Sequence, residues 1–336
     1  MSKVESLKFP VAAAEEDMQT KGNLVVSVAS VLGTLSLNSG RVYGIKSADE
    51  TVASLLYLAG EPPLKYINGF HQISENEILV ADYKKNCVRM VVRHKGDFQT
   101  PVTAGKCEEN GGYVDGKALD ARFNNPHNII ASPTIGSFYI IEHTQIRILN
   151  TINGVVSTLL HHPANVIWDA KLSPSKEFLF YVTSCHLYKH AISAGQTELF
   201  AGKEGYCGRG DSLGLHQATT LGLSSLLFLN NYTILISDST QGNLRIVNIC
   251  FNTVSTFCIP SQIDEEKSMF IAGPKTVCSL PEPQTIMYSS YLNAALIMSS
   301  VHSPLMLSLN TGMTNLYLKK LLILAENKLW FLLNIR

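Results

Sequence analysis

The residues whose types could do chemistry are few and scattered. Gly208-Arg209-Gly210-Asp211-Ser212-Leu213-Gly214 has the glycines of a phosphate-cradling loop. Its spacing misses a Walker loop, and no helical pattern follows it. It also holds Arg209-Gly210-Asp211, a tripeptide that some integrins read, but its place between two apolar runs makes it a connecting turn. Glu142-His143 and His161-His162 are metal-ligating types. No further clustered His or Asp completes a set with them, so they read as surface or rim positions. H-E-x-x-H and EF-hand loops are absent from the sequence. No catalytic, metal or cofactor residue is therefore assigned. Asn231-Tyr232-Thr233 is the one glycosylation sequon, and it starts at a predicted turn.

Seven cysteines stand at 87, 107, 185, 207, 250, 258 and 278, with no C-x-x-C among them. Zinc-ribbon and thioredoxin chemistry thus have no foothold. Cys87 and Cys107 are equidistant from Asp97, in the predicted Gly96-Asp97 turn of a hairpin. Residues that share the midpoint of a hairpin turn face one another, so a bridge is geometrically possible there. Cys185 and Cys207 are likewise equidistant from Gln196, beside the predicted turn Ala194-Gly195-Gln196. Cys87–Cys107 and Cys185–Cys207 are the expected disulfides. Cys250 and Cys258 flank a shorter turn less symmetrically, and Cys278 has no evident mate.

The elements that must position these residues repeat along the chain. Gly69–Ile73, Glu77–Asp82, Cys87–Val92 and Thr100–Gly105 are four short runs, rich in β-branched residues and split by turn residues. They read as four strands of one antiparallel meander. The same order recurs from Phe123 to Leu160 and from Leu221 to Cys258. Weaker copies fit 164–202 and 8–60, and a degenerate one runs from about Phe270 to Leu318, with Ala294–Ser299 as its second strand. Four strands in about 40 residues plus a connector is the size of a propeller blade. The expectation is an all-β, six-bladed β-propeller over 5–318, a single domain. Its blades fall at about 5–60, 66–107, 121–160, 164–203, 219–260 and 268–318. Residues 319–336 form a C-terminal tail of unassigned role, with its apolar stretch 321–333 read as a final strand pair.

The run from Gly112 to Ile129 resembles the blade connector of NHL-repeat β-propellers, whose pattern is roughly GxxDGxxxxAxFxxPxGI. It reads Gly-Tyr-Val-Asp-Gly-Lys-Ala-Leu-Asp-Ala-Arg-Phe-Asn-Asn-Pro-His-Asn-Ile. That family's second strand ends in Ala-Asp and its third carries N-x-x-I-R. Here these appear as Val80-Ala81-Asp82 with Asn86-Cys87-Val88-Arg89, and as Ser237-Asp238 with Asn243-Leu244-Arg245. The likeness is specific at 66–160, good at 199–258 and weak at both ends. Copies one, four and six lack the Asp and the Arg. Asp82 with Arg89, and Asp238 with Arg245, read as a structural polar pair repeated per blade. Extracellular NHL propellers often carry a Cys beside the third strand and another after the closing Gly, so the resemblance implies the same two disulfides.

Composition narrows the function classes. Lys+Arg and Asp+Glu balance at 27 each, so no net positive field draws in nucleic acid or an anionic membrane. No uninterrupted apolar run of about 18 residues exists to span a bilayer. The first twenty residues carry Glu15, Glu16 and Asp17 and show no signal-peptide pattern; the paired cysteines nonetheless favour an extracellular or secretory location. The reading is a non-catalytic scaffold that binds a protein or glycan partner through one loop face. Tyr113 and Tyr206, in the long connectors 106–122 and 203–220, are the candidate anchors. The alternative is a metal-dependent hydrolase or lyase with a central-channel site. The first-strand starts offer His71, Asn124, His127 and Asn128 but no Asp or Glu, which is thin for a calcium site.

Overall fold

Short β-branched runs separated by Gly, Asn and Ser turns pair with their sequence neighbours, and the result is a series of meanders. The computed structural model describes residues 11–16, 23–28, 31–36, 42–44, 64, 67–74, 76–94, 97–162, 165–208, 210–220, 222–257, 283–289, 294–299, 305–308 and 317–320. Among these no residue is helical, and every strand pairing is antiparallel. The protein is a β-propeller of antiparallel blades.

β1 (Val11–Glu16), β2 (Asn23–Val28), β3 (Val31–Ser36) and β4 (Val42–Gly44) form the first sheet in that order. The second comprises β5 (Ile67–Ser74), β6 (Glu77–Asp82), β7 (Cys87–His94) and β8 (Asp97–Gln99), with β9 (Val102–Ala104) also on β7. In the third, β10 (Gly116–Lys117) joins the outer side of β11 (Asn128–Ala131), β12 (Ser137–Ile141), β13 (Gln145–Asn150) and β14 (Val155–His161). The fourth runs β15 (Asp169–Leu172), β16 (Phe178–Val182), β17 (Leu187–Ala191), β18 (Gln196–Ala201). The fifth runs β19 (Leu223–Asn230), β20 (Thr233–Asp238), β21 (Asn243–Asn248), β22 (Thr253–Phe257). The last contains β23 (Pro283–Ser289), β24 (Ala294–Ser299), β25 (Leu305–Ser308) and β26 (Tyr317–Lys320). Four of these sheets, β5 to β22, are described with most of their turn residues; the first and last are described as strands alone. The expected six blades in one ring are thus not supported by the described residues. Gly60, Cys258, Cys278 and the expected strand pair over 321–333 lie outside them.

The chain divides into two compact units, one over Val11–Ile167 and one containing the residues from Trp168 on. Within each, burial follows strand position. The second strands β6, β12, β16 and β20 are buried along nearly their whole length, on both faces. Their sequences EILVAD, SFYII, FLFYV and TILISD are accordingly apolar runs without polar alternation, as strands covered on both sides require. The outer strands β14 and β18 are mostly exposed. In the first unit Leu79, Ala81, Val88, Phe123, Ile129 and Ile140 make one core between two blades. Phe123 is a connector residue, and its burial there contributes about 1.5–3 kcal/mol. In the second, Phe180, Val182, Leu226, Ile234 and Val247 do the same. First strands touch backbone to backbone: a Cβ on Gly69 of β5 would lie 2.4 Å from the carbonyl oxygen of His127, at the start of β11. Only glycine fits that approach.

Several details depart from the sequence reading. The β7–β8 hairpin pairs His94 with Asp97, so Asp97 is already in the strand rather than in the turn. Pro101 then splits the fourth strand into β8 and β9, because it has no N–H to donate to the ladder. The first strand expected from Phe123 begins only at Asn128, since Asn125 takes a positive φ of 55° and turns the chain there. Asp82 and Asp238 act electrostatically on Arg89 and Arg245, and each residue has further partners. Asp82 and Asp238 accept the backbone amides of Lys85 and Gln241 at 3.2 and 3.0 Å, closing the turn after the second strand. Arg89 donates to the carbonyl and hydroxyl of Thr100. Arg245 meets Asp211 of the connector at 3.2 Å and donates to Thr256 and to the Gly210 carbonyl. Arg147 binds Asp115, donating from Nε at 3.1 Å, and donates to the carbonyls of Val114 and Arg122. The carboxylates of Asp115 and Asp211 accept the amide and hydroxyl of Thr158 and Thr256. A knot of connector Asp, third-strand Arg and fourth-strand Thr thus ties the connector to its own blade.

Candidate binding face

In the blades β5–β9 and β15–β18 the turn after the second strand, the end of the fourth strand and the connector to the next first strand meet at one edge. Two disulfides fasten that edge. Cys87–Cys107 holds the β6–β7 turn against the 106–122 connector, with a Cα–Cα distance of 4.9 Å. Cys185–Cys207 does the same for the β16–β17 turn and the 203–220 connector, at 5.2 Å. The glycines that precede these connectors, Gly105 and Gly202, have φ of +89° and +114°. A Cβ on Gly105 would press into Phe123 at 2.9 Å, and one on Gly202 into His186 at 2.8 Å. Glycine there lets the chain turn sharply while the thiols come together. Cys250 is a free, exposed thiol in the β21–β22 turn.

In the first unit this edge is polar and aromatic. The Asn86 carboxamide donates to the carbonyls of Glu108 and Glu109 and accepts the Asn125 amide at 2.7 Å. It thereby staples both limbs of the connector to the turn. Tyr113 stands 41% exposed above it, its hydroxyl accepting Asn124 Nδ2 at 2.7 Å and Thr144 Oγ1 at 3.0 Å. Tyr83 Oη and His143 Nε2 are 3.2 Å apart, and the His127 ring lies 5.7 Å from that of His143. Burial lowers the His143 pKa below its ordinary value. Glu142, next in the chain, turns the other way. It is fully buried, accepts the Asn124 amide at 2.8 Å and lies 3.6 Å from Arg147. Burial raises its pKa to about 8, with Arg147 and the Asn124 amide opposing. Glu142 and His143 therefore diverge and do not share a ligand.

In the second unit Tyr206 is 59% exposed with Lys203 Nζ 4.3 Å from its ring centroid. His186 bonds the Lys203 carbonyl at 2.9 Å, so the tyrosine is carried on a braced loop. Sequence reasoning passed over Trp168. It is half-exposed just before β15, with its indole nitrogen donating to Ser184 Oγ at 3.0 Å. A lone Trp immediately ahead of a first strand was the available signal. Asp169, also missed, is an acid at a first-strand start. It is buried and satisfied, accepting Ser225 Oγ at 2.6 Å and the Leu226 amide, with Lys171 at 3.2 Å. Ser225 Oγ in turn accepts the Ile286 amide, so this acid ties β15, β19 and β23 together. Blade β15–β18 lacks the ionic knot. At the position of Arg147 it has Tyr188, stacked on Tyr181 at 5.1 Å and 14°.

Asp211 is committed to Thr256 and Arg245, so Arg209-Gly210-Asp211 does not present a free carboxylate; Arg209 lies outside the described residues. His161 is exposed at the end of β14, while the His162 ring faces Asn165 at 3.4 Å. His71 packs its ring 5.9 Å from that of Phe138. Among the described residues no three His, Cys, Asp or Glu side chains gather as a metal set. Likewise, among the described residues there is no helix long and apolar enough to cross a membrane. What the edge offers is stacking surface and hydrogen-bond donors and acceptors on braced loops.

No protein-family model and no curated protein matches the chain. Solved structures do match it in fold. An auxiliary nutrient binding protein from Bacteroides thetaiotaomicron aligns with a TM-score of 0.62 at 10% identity, over 92% of this chain and 68% of its own. One from Bacteroides ovatus aligns at 0.62 and 10%, over 86% and 67%. A structure of a nidogen/laminin complex aligns at 0.50 and 11%, over 74% and 80%. Identities this low speak to fold.

Proposed function

We propose that this chain is a six-bladed, NHL-like propeller over about 5–318 that binds a protein or glycan partner through its connector edges and performs no chemistry. The observation that carries the reading is the bracing of the connectors. Each of the two long connectors is tied to the blade before it by a disulfide and to the blade after it by an Asp–Arg–Thr knot, and each carries an exposed tyrosine, Tyr113 or Tyr206. Loops held rigid lose little entropy on binding, and aromatic side chains on them are favoured anchors. The blade count rests on the six four-run copies in the sequence. The NHL assignment rests on the 112–129 connector and its Asp and Arg. The Bacteroides neighbours are named as nutrient binding proteins and the third is a nidogen/laminin complex, which is in keeping with a binding scaffold. Two disulfides support an extracellular or secretory location.

The test is a screen against glycan arrays and secreted-protein libraries, followed by the Tyr113→Ala/Tyr206→Ala double variant. A partner found in the screen should be lost in the double variant while the melting temperature stays within a few degrees. Binding that survives the double substitution overturns the anchor assignment. Stoichiometric calcium or zinc, with ester or lactone hydrolysis abolished by chelation, overturns the non-catalytic reading.

A further inference from the structure

We propose that Asn231 is an N-glycan attachment site that receives its sugar before the blade β19–β22 closes. Asn231 and Tyr232 are the two loop residues of the β19–β20 hairpin, in which Asn230 pairs with Thr233. Of the two adjacent asparagines it is Asn230 that closes the turn, its Oδ1 accepting the Tyr232 amide at 2.8 Å. The tip is held by the Tyr232 carbonyl, which accepts the Ile249 amide from the neighbouring turn. Asn231, the residue with the sequon, is exposed, and its carboxamide takes no part in the bonding of the turn. A sugar on its Nδ2 displaces no contact of the fold.

The acceptor rule also demands the hydroxyl two residues on. Thr233 supplies it, but its side chain is 1% exposed in the folded blade. An enzyme that must read both groups can do so only while this hairpin is open. In the transfer, Asn231 Nδ2 displaces the pyrophosphate of a lipid-linked oligosaccharide. The Nδ2–C1 bond forms, the bond from C1 to the pyrophosphate oxygen breaks, the lipid pyrophosphate leaves with that electron pair, and the amide proton passes to solvent. The disulfides supply the independent indication that the chain folds in an oxidising compartment, where this chemistry resides. β19 begins beside the connector and ends at Asn230, so the sugar sits at the opposite end of the blade from the connector edge. Glycan and partner therefore do not compete on this blade.

The experiment expresses the chain behind a secretion leader in eukaryotic cells and treats the product with peptide N-glycosidase. The expected result is a mass shift with Asn231 converted to Asp in peptide maps, absent in Asn231→Gln and retained in Thr233→Ser. A second arm offers lipid-linked oligosaccharide in microsomal membranes to the bacterially produced chain, either folded and oxidised or reduced and unfolded. Only the unfolded chain should be modified. Secreted, disulfide-bonded protein with unmodified Asn231 overturns the site. Equal modification of folded and unfolded chains overturns the order of events. If no secreted product forms, the microsomal arm decides alone, and an unmodified unfolded chain overturns the proposal. None of these outcomes bears on the connector-edge reading, which Tyr113 and Tyr206 test separately.

Discussion

Replacing Asp115 with Asn should destabilise the protein by an amount that depends on pH, and Glu142 is the reason. Asp115 is the carboxylate that pairs with Arg147, whose side chain is fully buried. Leaving a buried cation without its partner costs about 3–5 kcal/mol. Asp115 is half-exposed, so solvent shares its charge and the lower end of that range applies. A second carboxyl group stands in reserve, because Glu142 lies 3.6 Å from the same guanidinium. Its pKa is raised to about 8, chiefly by burial, so it is largely protonated at neutral pH. Once Asp115 is gone, Glu142 can lose its proton and take over the pairing. Asp115 is itself one of the charges that raise this pKa, so its loss makes that deprotonation easier, and the cost grows by about 1.4 kcal/mol for each pH unit below the pKa. The Asp115→Asn penalty should therefore be about 1–2 kcal/mol near pH 8, rise through pH 7, and level off near 3 kcal/mol by pH 6. In a Glu142→Gln background the relief is impossible, and the penalty should stay near its upper value at every pH. Urea unfolding of the four proteins at pH 6, 7 and 8.5 measures this directly, with disulfides kept intact. A penalty equal at pH 6 and pH 8.5 in the Glu142 background would refute the reserve role, and one below about 1 kcal/mol throughout would refute the buried-pair argument.

Arg147→Met should cost much less than Asp115→Asn at pH 6. The Val114 and Arg122 carbonyls that it bonds keep each other's amides, and Asp115 returns to water, so a loss above about 3 kcal/mol would contradict this. The Glu142→Gln variant alone tests the sign of the linkage. A folded pKa raised from 4.5 to about 8 contributes stability that is whole below 4.5 and is lost as pH rises toward 8; the Gln variant should therefore show a flatter decline over that window. The same pH profile in both proteins would sink it. Replacing the Cys87–Cys107 pair by serines should cost about 3 kcal/mol, and the Cys185–Cys207 pair about the same, since their loops of 20 and 22 residues are close in length. A differential-scanning comparison in which either pair costs nothing would refute the bracing. Gly69→Ala should be among the most damaging small substitutions, because its Cβ has nowhere to go between β5 and His127; a melting temperature unchanged from the parent would show that the strands can part.

The sequence by itself determined the strand order, the disulfides and the level at which the connectors recur. These are local matters: alternation and turn residues fix a meander, and cysteines placed symmetrically about a hairpin meet whatever the rest of the chain does. It also determined that Asp82, Arg89, Asp238 and Arg245 are repeat residues. Their partners were decided only by the tertiary structure. Arg89 and Arg245 stood next to Asp82 and Asp238 in a paired-strand reading. Their guanidiniums also reach the fourth-strand threonines, and for Arg245 a connector carboxylate 34 residues upstream. A bulge between Val88 and Arg89 sets the register that brings Thr100 within range of Arg89, and a bulge has no dependable mark in sequence; Arg245 faces Thr256 directly across the β21–β22 pairing. Glu142 shows the same limit. With His143 it read as a surface or rim position, yet successive residues point in opposite directions from a strand end, so Glu142 went to the core and His143 to the rim. Trp168 and Asp169 part in the same way, one to solvent and one into the seam between first strands. Which member of such a pair is buried depends on what the neighbouring blade brings against it, and that contact is made across more than fifty residues of chain.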